Sequence, residues 1–371
     1  MSTRTALVVG GTGPTGPHIV NGLVSRGYRV TIFHRGTHES DDIPPCVEHI
    51  HGDPHFSETI TSSIRDRQFD LVVAAYGRIR LLAEFFRGRT DRFIAIGGVA
   101  AYQGHFSPER LVPSGMSIPA PEAEPVVHDR EGGKFSWRVA ETEQDVLRCH
   151  PLATIFRYPL VYGPNQIMPL EWCLIRRALD RRPFVILPSG GLQVVTRGYA
   201  RNLAHAVLLA VDQPAAAAGQ IYNCGDERQL SYRQMTEVVA SALGHRWEII
   251  DMPAPLATPA WPMIGPHEAY WHRLVDISKI RRELNYSDLV PAVEAIRETV
   301  FWYARRRDIL EVELGKRLND PFDYVAEDRL VAEWRRLQQS LPNVQDGAYV
   351  APGHPYPHPV ESGLTRDHRG R

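Results

Sequence analysis

Three glycines in the first turn of the chain are the residues whose type and spacing most plainly suggest chemistry. Gly10, Gly13 and Gly16 follow the apolar run Ala6-Leu7-Val8-Val9 and precede an amphipathic run with Ile19, Val20, Leu23 and Val24 on one side. A second apolar run, Val30-Thr31-Ile32-Phe33, then ends in His34-Arg35. That order predicts strand, glycine turn, helix and strand, a βαβ unit of ~30 residues. In such a unit one glycine permits the tight turn, one lets the backbone approach a pyrophosphate, and one lets the helix sit close on the sheet. The unpaired N–H groups at the helix start then face anionic oxygens, with the helix dipole in support. In this context the triplet reads as a dinucleotide cradle rather than as a structural turn.

The elements needed to hold that cradle recur along the chain. Val47–Asp53 reads as a third short strand ending in Gly-Asp, Glu58–Arg67 as a helix, and Asp70–Ala75 as a buried fourth strand. Leu81–Arg87 reads as a helix and Arg92–Gly98 as a fifth strand. Phe135–Cys149 predicts a long helix, Ala153–Arg157 a sixth strand and Ile221–Cys224 a further short one. Helices are expected near Leu170–Arg181, Gly198–Val211 and Ser231–Leu243, the last capped by Ser231 and stopped by Gly244, with polar helix over His272–Arg306. The alternation predicts an α/β fold: a Rossmann-type doubly wound parallel sheet. Ligands then lie beyond the carboxyl ends of the strands, at Gly10–Gly16, Arg35, Asp53, Ala75-Tyr76 and Gly97–Tyr102. Asp320–Ser340 has amphipathic character, and Asn343–Arg371, dense in Pro, Gly and His, reads as an extended or disordered arm.

Composition narrows the partners. The chain has 371 residues and a formal net charge of −1, so no nucleic-acid or membrane partner is expected. Its four cysteines (Cys46, Cys149, Cys173, Cys224) lack the spacing of a disulfide framework or zinc site. With a strand starting near residue 5 and no long apolar run, a soluble cytoplasmic protein is expected. Only Lys134, Lys279 and Lys316 are lysines among 42 Lys and Arg residues, which leaves a catalytic lysine few places to be.

The Gly10–Gly16 start, the Phe93–Tyr102 strand and turn, Arg157-Tyr158-Pro159-Leu160-Val161-Tyr162-Gly163-Pro164 and Tyr222-Asn223-Cys224-Gly225-Asp226 resemble the extended short-chain dehydrogenase/reductases, the NAD-dependent epimerase/dehydratase family. Phe33-His34-Arg35-Gly36 and Ala101-Tyr102-Gln103 look closest to its atypical branch, which includes the chloroplast stem-loop-binding proteins. The resemblance spans roughly residues 5–306. It implies a smaller, discontinuous substrate-binding domain and a bound nicotinamide dinucleotide. On this basis the core would be 1–165 with returning segments near 196–226, the substrate region 166–195 and 227–306, and 307–371 a C-terminal extension. By the same resemblance Gly10, Thr12, Gly13, Pro14, Thr15 and Gly16 would line the pyrophosphate. Asp53 would sit near the adenine, Ala74, Ala75 and Tyr76 near the ribose, and Tyr158-Pro159 near the nicotinamide. The helix beginning at Phe135 resembles the family's dimer element, which implies a homodimer. At the end of the second strand His34-Arg35 stands where an acid would select NAD. Arginine's planar fork suits a 2′-phosphate, so NADP is expected, with NAD the alternative.

The family's proton relay is a Ser or Thr after the fifth strand and a Tyr-x-x-x-Lys pair on the next helix. Here those positions fall on Gly98, Phe135 and Val139, and the chain contains no Tyr-x-x-x-Lys. Lys134 neighbours Phe135 but does not share its helix face. Replacement acid/base candidates in the expected cleft are Tyr76, Tyr102, His105, Arg138, Glu141 and Tyr158, with Tyr102 and Tyr76 leading on position. His49, His51 and His55 cluster near the third strand, but no carboxylate has convincing ligand spacing, so no metal is expected; His354 and His358 lie in the Pro-rich arm. The function expected is an NAD(P)-dependent oxidoreductase, epimerase or dehydratase-like enzyme acting on a small organic substrate with a non-standard acid/base. A non-redox lyase or isomerase, or a catalytically inactive dinucleotide-binding regulator, are the alternatives.

Overall fold

The computed structural model describes residues 3–37, 39–265, 270–342 and 362–363. Nearly all of the proline- and histidine-rich arm expected from Asn343 onward, with His354 and His358, lies outside the described residues. Residues up to Asp323 form one compact unit, and the remainder, carrying a helix over Tyr324–Ser340, forms a second.

Among the described residues the first unit is built on eleven strands: β1 (Thr5–Val9), β2 (Arg29–His34), β3 (Glu48–His51), β4 (Phe69–Ala74), β5 (Thr90–Gly98), β6 (Thr154–Tyr158), β7 (Leu160–Tyr162), β8 (Phe184–Pro188), β9 (Arg197–Tyr199), β10 (Ile221–Asn223) and β11 (Glu248–Met252). Seven make a wholly parallel sheet in the order β10-β6-β5-β4-β1-β2-β3. Its early helices are α1 (Gly16–Ser25), α2 (Ser57–Ile64), α3 (Ile79–Phe85), α4 (Gln103–Phe106) and α5 (Lys134–Cys149). The later ones are α6 (Trp172–Leu179), α7 (Ala200–Asp212), α8 (Pro214–Ala217), α9 (Tyr232–Ala242), α10 (Trp261–Ile264), α11 (Ser278–Leu284), α12 (Ala292–Ala304) and α13 (Arg307–Leu318).

The continuous apolar runs form strands because both sheet faces are covered. Along β1, Ala6 and Val8 enter the core shared with α1 and α7, while Leu7 and Val9 enter the core under α2, α3 and α5. Each fully buried aliphatic side chain of this kind contributes ~1.5–3 kcal/mol. Gly22 brings α1 hard against α7, since a Cβ there would lie 2.2 Å from Leu208 Cδ1. A second core, around Trp172, Leu187, Val195 and Met235, gathers the paired strands β8 and β11, β7 and β9, and helices α6, α9, α12 and α13.

Several expectations are corrected. Gly198–Val211 is not all helix: Arg197–Tyr199 is β9, and α7 starts at Ala200. Within His272–Arg306, Arg273 and Val275 are extended and bridge to Val195 and Ala120, with helix only in α11 and α12. Beyond Arg306, α13 buries Leu314 and Leu318 in the second core. Strands β8 and β11 had no counterpart in the sequence reading; each is five residues long and gains its partner only from far along the chain. Ser231 does cap its helix, in a reciprocal capping box with Gln234.

The chain's preference for arginine has a structural consequence. Buried arginine–carboxylate pairs join distant segments: Arg157 with Glu143, Arg177 with Asp320, and Arg197 with Glu171. The Arg157 guanidinium donates to both Glu143 oxygens at 2.9 and 2.7 Å and to the Glu122 carbonyl at 3.0 Å, a bidentate geometry lysine cannot make. Removing one partner of such a pair leaves an uncompensated buried charge. Glu143→Ala is expected to destabilise the protein by about 3–5 kcal/mol in urea unfolding, and the apolar pair Glu143→Leu with Arg157→Met to recover most of that loss.

Candidate dinucleotide and substrate site

The strand order reverses between β1 and β4, and there the loops leaving the sheet diverge to open a crevice. The Gly10–Gly16 turn leaves β1 on one side; Ala75 and Tyr76 leave β4 on the other, with Ala75 N–H donating to the Val9 carbonyl at 3.0 Å. Each glycine has a distinct steric reason. Gly10 adopts φ +108°, and a Cβ there would sit 2.9 Å from Tyr76 Cβ. Gly16 abuts the turn itself, where a Cβ would lie 2.3 Å from the Gly11 carbonyl. A Cβ on Gly13 meets nothing within 4 Å, so it faces open space, as an approach to a ligand requires. Helix α1 starts at Thr15 with no side-chain cap and no acid in its first turn, with Pro17 just inside it. Its first N–H groups therefore have no side-chain partner, which suits a phosphate. The residues present fit the pyrophosphate of a dinucleotide.

Tyr76 gathers much of the surrounding set. Its ring lies 5.3 Å from the Arg35 guanidinium and edge-on to His55 at 5.0 Å. His55 is tied to Asp53, whose carboxylate accepts from the His55 backbone at 2.9 Å and meets its ring Nδ1 at 2.7 Å. Partial burial works upward on the Asp53 pKa, but these hydrogen bonds and the Arg35 charge hold it below the usual carboxylate value. Gly10, Arg35, Asp53, Ala74, Ala75 and Tyr76 thus converge on one edge of the sheet. Arg35 is exposed there, its guanidinium over the Tyr76 ring.

Other expected site residues are placed differently. His34 is buried and packs against the rings of His49 and His51 at 5.2 and 4.9 Å. Those histidines do have a carboxylate partner, contrary to the spacing argument: Glu39, from the loop after β2, lies 3.4 Å from each of His49 and His51. Loop length is free to vary, so a ligand spacing in sequence carried no trace of it. Tyr158 turns its ring into the core and donates its hydroxyl to the Leu203 carbonyl at 3.1 Å, so only main chain at Tyr158-Pro159 is left to face a ligand.

Tyr102, the other leading acid/base candidate, is placed in the interior. It has no exposed surface, and its hydroxyl donates to Asn223 Oδ1 at 2.7 Å. Asn223 is itself held by the Ala120 and Asp276 carbonyls and by Glu122. The Arg157 guanidinium covers the Tyr102 ring at 4.6 Å, and burial pushes the phenol above its ordinary pKa. This is a buried polar joint between the ends of β5, β6 and β10. Of the positions corresponding to the family relay, Gly98 ends β5, Phe135 is exposed in the first turn of α5, and Val139 is half-buried. None carries an ionisable group. Arg138 is exposed, and Glu141 pairs with Arg80 at 3.5 Å.

Several polar atoms lie buried without hydrogen-bond partners among the described residues: Arg197 Nη2 and Arg273 Nε, which sequence reasoning missed, and Nδ1 of the candidate His105. Thr196 N–H donates to the Arg273 carbonyl at 2.9 Å, so the two arginines stand on neighbouring strands, and the Arg273 guanidinium is 5.8 Å from the Phe106 ring. Burial and the like charge of Arg197 press Arg273 below the ordinary guanidinium value. Burial, then the Arg273 charge, push His105 down to about 3, so it is a neutral imidazole at physiological pH. Arg197 is paired through Nη1 with Glu171, so of the two buried cations Arg273 is the one without a carboxylate partner among the described residues.

The model of the NAD dependent epimerase/dehydratase family matches residues 149–225. No curated protein sequence matches the chain. Among solved structures, UDP-glucose 4-epimerase from Thermotoga maritima, with UDP-glucose, is similar at a TM-score of 0.66 and 17% identity, over 81% of this chain and 99% of that one. A dTDP-glucose 4,6-dehydratase from Bacillus anthracis in complex with NAD has a TM-score of 0.61 and 16% identity, over 82% and 98%. Thermus thermophilus UDP-glucose 4-epimerase in complex with NAD has 0.61 and 21%, over 81% and 99%. The chain thus has the fold of these epimerases and dehydratases, the family its motifs resemble. No helix among the described residues is long and apolar enough to cross a membrane.

Two substitutions separate the ligand role of the glycines from their folding role. Gly13→Ala is expected to leave thermal stability nearly unchanged and to weaken dinucleotide binding, as measured by calorimetric titration. Gly16→Ala is expected to destabilise by ~1–3 kcal/mol through overpacking against Gly11.

Proposed function

We propose that the protein is an NAD(P)-dependent enzyme of the epimerase/dehydratase type that acts on a small organic substrate carrying an anionic group. The observation that carries this reading is the pairing of an uncapped helix start behind Gly13 with the buried Arg273, which has no carboxylate partner among the described residues. The first suits the cofactor phosphates and the second a substrate phosphate or carboxylate. A bound nicotinamide would accept or return a hydride. Arg35, exposed at the end of β2, supports NADP over NAD, since a guanidinium fork matches a 2′-phosphate. The UDP-glucose of the Thermotoga structure makes sugar nucleotides the first substrate class to test.

The proton relay is non-standard in this reading, because Gly98, Phe135 and Val139 hold no acid or base. Tyr76 is the expected tyrosine whose surface remains accessible, at 37%. Tyr76→Phe is expected to lower kcat by ~10²–10⁴ with little change in the dinucleotide KM. A rise in the dinucleotide KM alone would make Tyr76 a cofactor contact instead.

The direct test incubates the full chain, loaded with NADP or NAD, with a panel of sugar nucleotides while following reduced-nicotinamide absorbance and product formation. Turnover is expected, and Arg273→Gln should raise the substrate KM about 10–100-fold with a smaller change in kcat, the equivalent of ~1.5–3 kcal/mol for a charge-assisted hydrogen bond. Binding of dinucleotide with neither redox change nor product would overturn the enzyme reading and favour a dinucleotide-binding regulator.

A further inference from the structure

The outer edge of the sheet carries a second polar constellation that the dinucleotide site does not use. His34 closes β2, and His49 and His51 alternate onto one face of β3. The register pairs His34 with His51 and Ile32 with His49. Parallel pairing therefore places all three rings on the same face. Gly36, at φ +73°, turns the chain back over His51, where a Cβ would lie 3.3 Å from the ring. Glu39 follows in that returning loop.

We propose that His34, Glu39, His49 and His51 form a binding site for a divalent transition-metal ion, with zinc the ion best suited to the donor set. One donor atom from each residue lies within 4.8 Å of all the others. His34 Nε2 is 3.2 Å from His49 Nδ1 and 3.9 Å from Glu39 Oε1; Glu39 lies 3.4 Å from His49 Nδ1 and 3.4 Å from His51 Nε2. Zinc–nitrogen and zinc–oxygen bonds of ~2.0–2.2 Å in a tetrahedron put ligand atoms roughly 3.3–3.6 Å apart, so small side-chain shifts suffice. Three imidazoles and one carboxylate are ligands of the borderline class that zinc, cobalt and nickel share.

The surroundings suit this role. The His34 side chain is 4% exposed, while those of His49, Glu39 and His51 are 30%, 51% and 59% exposed. The site has a buried anchor and an open entrance. Coordination through Nε2 would put the His34 proton on Nδ1, so the 3.4 Å contact that Nδ1 accepts from Gly36 N–H would have to open. His55, in contrast, is committed to Asp53 and stays outside the set.

The test uses the untagged full chain, stripped with a chelator and titrated calorimetrically with zinc chloride, with no dinucleotide present. One zinc per chain is expected, and cobalt(II) in its place should give the intense visible absorption of a four-coordinate ion. His49→Ala with His51→Ala removes two accessible ligands without touching a core, and circular dichroism confirms that the variant is folded. It should lose more affinity than the ~100-fold upper range seen for outer-sphere changes, and Glu39→Gln should weaken binding in the same direction. Retention of stoichiometric zinc in the double variant would place the ion at other histidines and overturn the proposal. So would failure of the unaltered chain to bind more tightly than the double variant.

Discussion

The close approach of Gly16 to the Gly11 backbone is the contact on which the rest of this structure depends. It brings the start of α1 directly over the carboxyl end of β1, with no side chain between helix and turn. That position coincides with the reversal of strand order between β1 and β4, where the crevice of an open parallel sheet must lie. Helix register, the path of the turn and the location of the crevice therefore follow from one steric requirement. Tyr76 then abuts Gly10 across the crevice, and Arg35 and His55 assemble around the Tyr76 ring.

A second constraint is electrostatic. Arginine replaces lysine almost throughout, and the protein uses the planar guanidinium to lock segments together in buried bidentate or short pairs. Arg157 stacks on Tyr102 while holding Glu143, which turns the region beyond β5 and β6 into a rigid polar joint. Arg273 is buried beside Arg197, whose own charge is paired with Glu171, and burial together with that like charge lowers the Arg273 pKa.

The fold was legible because its signals are local. The apolar runs of β1, β2 and β4, the glycine turn and the Ser231 cap act within a few residues of themselves. The site was legible only where the backbone carries it: Gly10, Gly13, Gly16, Arg35, Asp53 and Tyr76 sit at strand ends that the periodicity marks. Tyr102 lies at such an end too, yet its ring points inward because Asn223, remote in sequence, accepts its hydroxyl. Glu39, Arg197 and Arg273 were missed for the same reason. Each acquires its meaning from a neighbour on another segment, and β8 and β11 exist only through each other.

The central claim is that this chain holds a nicotinamide dinucleotide in the β1–β4 crevice. Calorimetric titration of the purified full-length protein with NADP and with NAD tests it most directly. The account predicts saturable binding at one site per chain, tighter for NADP, with the preference reduced by Arg35→Ala. Absence of saturable binding for either dinucleotide would contradict it.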